Sequence, residues 1–75
     1  MQYPYLEVEA RDYDARWSYV IYEMVGTPGG NIYSVRVHPK GGSIEDGMVE
    51  PYYPSLAAAR AALPTHVEAQ AKQKV

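Results

Sequence analysis

Trp17-Ser18-Tyr19-Val20-Ile21-Tyr22-Glu23-Met24-Val25 carries the reading that decides the fold. The run is rich in β-branched and aromatic residues, as strands are. It is also apolar at both parities. Val20, Tyr22 and Met24 point one way and Trp17, Tyr19 and Ile21 the other, so a strand over 17–25 must be covered on both faces.

Two further strands are visible. In residues 5–11, Leu6, Val8 and Ala10 alternate with Tyr5, Glu7, Glu9 and Arg11, the period of a half-buried strand. Leu6, Val8 and Ala10 are expected to face the core. Asp12, Tyr13, Asp14 and Ala15 then supply turn chemistry, because an Asp side chain can bond backbone two residues on. In residues 32–38, Tyr33, Val35 and Val37 are expected inward and Ser34, Arg36 and His38 outward. Gly26, Thr27, Pro28, Gly29, Gly30 and Asn31 make the hairpin loop between the second and third strands. The result is a meander with the second strand central.

Pro39, Lys40, Gly41, Gly42 and Ser43 end the third strand, and residues 44–47 continue as loop. Residues 48–53 are a candidate short fourth strand, confined to an edge because Pro51 has no amide to donate. Ser55 is a good N-cap for an Ala-rich helix over 56–63. Pro64 must stop or kink that helix. Leu56, Ala59, Leu63, Val67 and Ala71 nonetheless form one stripe at helical spacing across the proline. One kinked helix and two short helices both satisfy it, and residues 73–75 are expected to fray. The expected architecture is α+β: an antiparallel sheet of three or four strands with a C-terminal helix or kinked helix pair on one face. Residues 1–75 are read as a single domain, since a chain of 75 residues has room for one core only.

Composition narrows the function classes. There is no Cys, which excludes disulfides, thiolate metal sites and a catalytic thiol and fits the reducing cytoplasm. No basic region precedes an apolar run, and no stretch approaches the roughly 18 apolar residues of a membrane span. Seven basic residues against nine acidic ones give a net charge of -2, which argues against bulk attraction to phosphate backbones. Eight Tyr and one Trp with no Phe favour polar-edged aromatics, which suit partly exposed interfaces.

Catalytic and metal patterns are weak. His38, His66, Asp12 with Asp14, and Glu45 with Asp46 form no recognised ligand set. Lys40-Gly41-Gly42-Ser43 lacks the helix that follows a phosphate-cradling loop. His38 and His66 both read as surface residues without a nucleophile and an orienting partner. No cofactor and no enzymatic activity are expected.

The feature that remains is a sheet face on which large aromatics stand between carboxylates and cations. Trp17, Tyr19, Tyr22, Arg36, Tyr5 and His38 are the candidate binding residues, because Tyr, Trp and Arg dominate interaction hot spots. The competing reading covers one face with the C-terminal helix and the other with residues 51–54. A protein partner is expected, with a second copy of the chain as one candidate. The alternative stacks single-stranded nucleic acid on Tyr19 or Tyr22, with Arg11, Arg16, Arg36 and Lys40 reaching phosphates. Glu7 and Glu9 oppose it.

In element order the chain resembles small phage-encoded anti-CRISPR inhibitors, a likeness of topology over the whole chain without a shared motif. That resemblance implies a non-catalytic inhibitor that docks on a protein complex. Tyr3, Pro4, Ser55, Leu56 and Ala59 also echo the Tyr-Pro start and the Ser-Leu-x-x-Ala helix start of small sheet-and-helix antitoxins, which is similar in outline and implies a regulatory binding role.

Overall fold

A computed structural model of the chain describes residues 5–25, 30–42 and 47–73. It is an α+β fold. The strands β1 (Tyr5–Asp12), β2 (Trp17–Met24) and β3 (Ile32–Pro39) form an antiparallel sheet in the order β1-β2-β3. Two helices follow, α1 (Leu56–Ala61) and α2 (Leu63–Gln73). The expectations for residues 3–4, 26–29, 43–46 and 74–75 lie outside the described residues.

The first hairpin closes as its turn chemistry requires. Asp14 Oδ1 accepts from the amides of Arg16 (2.8 Å) and Trp17 (2.9 Å), and the Trp17 carbonyl accepts from Tyr13 N (2.8 Å). The other end of β2 pairs with β3 without interruption, from Trp17 opposite Pro39 to Met24 opposite Ile32.

The two faces of β2 are both buried, as its double parity demands. On the helix face, Tyr19, Ile21 and Val35 pack with Ala59 and Leu63, and Tyr33, Val37, Tyr53 and Leu56 surround them. Ser55 caps α1, its hydroxyl accepting from Ala58 N at 3.1 Å. The helix breaks at Ala62 and resumes at Leu63, which puts Pro64 in the first turn of α2, where its missing amide costs little. Of the expected stripe, Leu56 is half-buried, Ala59, Leu63 and Val67 are buried, and Ala71 is exposed beyond the edge of the sheet contact.

The opposite face is covered by a strap, residues 47–50, rather than by 51–54 as the competing reading had it. Ser34 Oγ donates to the Val49 carbonyl (2.7 Å) and accepts from the Val49 amide (2.8 Å), and Arg36 Nε donates to the Gly47 carbonyl (2.8 Å). Gly47 has φ +117°, a conformation that an L side chain rarely adopts. Ser34 is therefore fully buried, against the expectation that it faces outward. No fourth strand forms among the described residues. Residues 48–53 contribute a single bridge, in which the Tyr33 and Tyr53 amides each donate to the other's carbonyl at 2.8 Å, covering the outer edge of β3 at that one position.

β1 departs most from expectation. Leu6, Val8 and Ala10 are all exposed instead of facing the core. A bulge changes the phase within the strand: Glu7 pairs with Tyr22 but Glu9 pairs with Ile21, so one residue is inserted between them. Tyr5, Glu7, Ala10 and Asp12 consequently share the strap face, and Leu6, Glu9 and Arg11 share the helix face. A period-two reading cannot survive that insertion. The helices also pack mainly over β3, at the far side of the sheet, and reach β1 through Arg60.

Candidate functional site

The six residues singled out from the sequence do not share a face. Trp17 and Tyr19 lie on the helix face of β2, whereas Tyr22, Arg36, His38 and Tyr5 lie on the strap face. Tyr19 and Tyr22 are 7% and 3% exposed, so neither offers a ring to a partner in this fold. Tyr22 is covered partly by Tyr5, whose ring meets it edge-on at 5.5 Å. Arg36 is bound to the strap through the Gly47 carbonyl, and His38 is half-buried with Nδ1 3.1 Å from the Pro39 carbonyl. Trp17 is half-buried at the end of its face. Of the six, Tyr5 is the exposed one.

Exposed apolar groups gather elsewhere. Among the described residues the exposed large hydrophobics are Tyr5, Leu6, Val8, Tyr13 and Tyr52, each 37–57% exposed. Four of the five belong to β1 or the turn that follows it. β1 is also the open edge of the sheet, since only β2 pairs with it among the described strands. An edge strand presents unpaired amides and carbonyls, a template for another chain. Leu6 and Val8 were assigned to the core from their alternation; Leu6 does lie on the helix face, but the helices pack over β3 and leave it uncovered, and Val8 falls at the bulge.

The electrostatics of β1 are organised from the helix side. The Glu9 carboxylate is only 7% exposed and accepts from Arg60 of α1, through Nε at 3.1 Å and Nη2 at 2.5 Å, and from the Tyr19 hydroxyl. The Arg60 bonds, then the Tyr19 bond, hold its carboxyl below the ordinary range. Burial, reinforced by the Glu9 charge, pushes the Tyr19 phenol up. At the other end of the strand, Asp12 accepts from Ser18 Oγ (2.9 Å) and pairs with Lys40 (3.2 Å), which lowers its pKa in that order of cause. These contacts neutralise Glu9 and Asp12 locally.

A second polar cluster sits at the far edge. Tyr53 Oη lies 2.7 Å from His66 Nε2, and Tyr33 Oη donates to Glu23 at 2.6 Å. Burial lowers the His66 pKa, so folding favours the neutral ring beside the Tyr53 hydroxyl. His66 is thus half-buried and bonded, against the surface position expected of it. No group of three or more His, Asp or Glu is assembled among the described residues, and no helix there is long and apolar enough to cross a membrane.

No family model, no curated protein and no solved structure matches the chain. The outline likeness to anti-CRISPR inhibitors and antitoxins gains no support from those comparisons.

Proposed function

We propose that this domain is a small non-catalytic protein-binding module of the cytoplasm, an inhibitor or regulator that docks through β1. The observation that carries the reading is the concentration of exposed Tyr5, Leu6, Val8 and Tyr13 on the edge strand β1 and the turn that follows it, where only β2 pairs with β1 among the described residues. Isolated exposed apolar residues are ordinary, but several along one edge strand mark where a partner strand can add, whichever face each side chain takes. The tyrosine-rich sheet face read from sequence is replaced by this edge, because Tyr19 and Tyr22 serve the core. Nucleic-acid binding is the weaker alternative, since of the four cations it would use Lys40 and Arg36 are committed to Asp12 and the Gly47 carbonyl, leaving Arg11 and Arg16, and Tyr19 and Tyr22 are buried.

The test is capture from cell extract by immobilised wild-type domain, Leu6→Asp, Val8→Asp and Tyr52→Ala, in low and high salt. The reading predicts a protein retained by wild type and Tyr52→Ala in both salts and lost by the two β1 variants. Retention of nucleic acid alone, abolished by salt, contradicts it.

A further inference from the structure

We propose that Tyr53 and His66 form an acid-operated latch, in which protonation of His66 releases residue 53 from α2 and opens the outer edge of β3 at Tyr33. The inference is independent of the docking role proposed for β1.

Residue 53 stands where the chain passes from one side of the sheet to the other. Before it, residues 47–50 lie across the strap face, tied to Ser34 and Arg36; after it, Ser55 starts α1 on the helix face. Two sets of hydrogen bonds hold this crossing among the described residues. The backbone of residue 53 makes the bridge to Tyr33, and its side chain reaches α2, where Oη lies 2.7 Å from His66 Nε2 and the two rings meet edge-on at 5.9 Å. Of the two, only the side-chain contact titrates at mild pH.

The site disfavours charge. With the ring neutral, either partner can donate across the 2.7 Å contact. With both ring nitrogens protonated, Nε2 can only donate, and the Tyr53 hydroxyl proton must turn to another acceptor. The ring is half-buried, so its charged form also loses solvation. No carboxylate among the described residues pairs with it in compensation. The helix face of β3 presents Tyr33, Val35 and Val37, and the Tyr33 hydroxyl is bound to Glu23 of β2, which also accepts from Asn31 Nδ2. The charged group of α1 is Arg60, held by Glu9 of β1. On α2 itself, Glu68 pairs with Lys72, and both are exposed; Glu50 and Tyr52, on the crossing, are exposed as well. The imidazolium is therefore better solvated once it leaves the contact for water. Residue 53 is then held by its bridge and by apolar packing alone. A bridge with no ladder on either side is a local structure that opens without the rest of the fold. The latch couples a proton on α2 to a sheet edge, the kind of edge at which a strand can add.

The test is amide hydrogen exchange by NMR, read as protection factors above and below 6.5, the ordinary histidine value, on wild type, His66→Gln and Tyr53→Phe. In wild type the Tyr33 and Tyr53 amides are expected to lose protection several-fold as His66 titrates, followed by its ring signals, while β2 amides keep theirs. His66→Gln, whose side-chain amide can bond Tyr53 without titrating, should keep both amides equally protected on either side of that value. Tyr53→Phe should leave them weakly protected even with His66 neutral. No step in wild type, the same step in His66→Gln, or wild-type protection in Tyr53→Phe overturns the latch. A loss shared equally by β2 also overturns it, because the whole domain then unfolds.

Discussion

Tyr5 and Glu9, both odd-numbered residues of one strand, lie on opposite faces of the sheet. The Tyr5 ring stands against Tyr22 under the strap, while the Glu9 carboxylate meets Tyr19 and Arg60 beneath the helices. The inserted residue between Glu7 and Glu9 produces both contacts. It lets a strand with bare faces be tied to the fold at two points, one on each side.

Glu9→Gln is expected to change the acid limb of stability. The Glu9 carboxyl is held below its ordinary value of 4.5, chiefly by Arg60 and then by Tyr19. A carboxyl depressed on folding stabilises the protein above its unfolded pKa, and that contribution is lost as pH falls through the folded value. Wild type should therefore exceed Glu9→Gln in urea midpoint at pH 7, with the gap narrowing below pH 4.5. A gap that is constant with pH assigns Glu9 no ionic role.

His66 acts in a higher pH window with the same sign. Burial depresses its pKa below 6.5, so folding favours the neutral ring. Its contribution is complete above 6.5 and is lost as pH falls through the folded value. Substituting Gln at position 66 should flatten the stability profile just below pH 6.5 and leave the Glu9 limb below 4.5 unchanged. Thermal unfolding at half-unit pH steps separates the two.

Ser34→Ala should cost about 1–3 kcal/mol, the penalty for stranding buried partners of a lost hydroxyl. Ser34 Oγ both donates to and accepts from Val49, and no buried side-chain polar atom among the described residues lacks a partner. The loss should be local to the strap. Hydrogen exchange is expected to show the Val49 amide losing protection while amides of the β2–β3 ladder keep theirs; uniform loss across the sheet contradicts a pinned strap.

Tyr22→Ala and Tyr5→Ala should part company. Tyr22 is 3% exposed, and truncating a buried aromatic costs about 3–5 kcal/mol, comparable to the whole stability of a domain this small. Tyr22→Ala is expected to unfold by circular dichroism, and Tyr19→Ala likewise. Tyr5→Ala should stay folded and report on binding. A folded Tyr22→Ala is incompatible with the strap-covered face.

Much of the fold was legible in the residues. The double parity of residues 17–25 required cover on both faces, and the meander put that strand at the centre. Residues 12–15 supplied the first turn and Ser55 the helix cap. The stripe across Pro64 fitted one kinked helix or two, and the two helices part at Ala62, ahead of the proline. What was not legible has a common physical character: it depends on chain far away in sequence. Ser34 is buried because residues 47–50 return across it, and nothing within β3 distinguishes it from an outward serine. Leu6 keeps the face its alternation gives it but the helices stop over β3, while the bulge turns Ala10 to the strap face. The candidate site moved for that reason. Tyr19 and Tyr22 were read as a displayed surface, but the helices cover one and the strap the other, and the display falls to β1.

The central claim, that β1 is the docking element, is tested most directly by photo-cross-linking in cells with a photoreactive phenylalanine analogue at position 6, 8 or 52. All three native side chains are exposed, so each variant should fold. The account predicts discrete protein adducts from positions 6 and 8 and none from position 52, with the adduct mass identifying a second copy or another partner. Adducts from position 52 alone, or equal and diffuse labelling from all three, would contradict it.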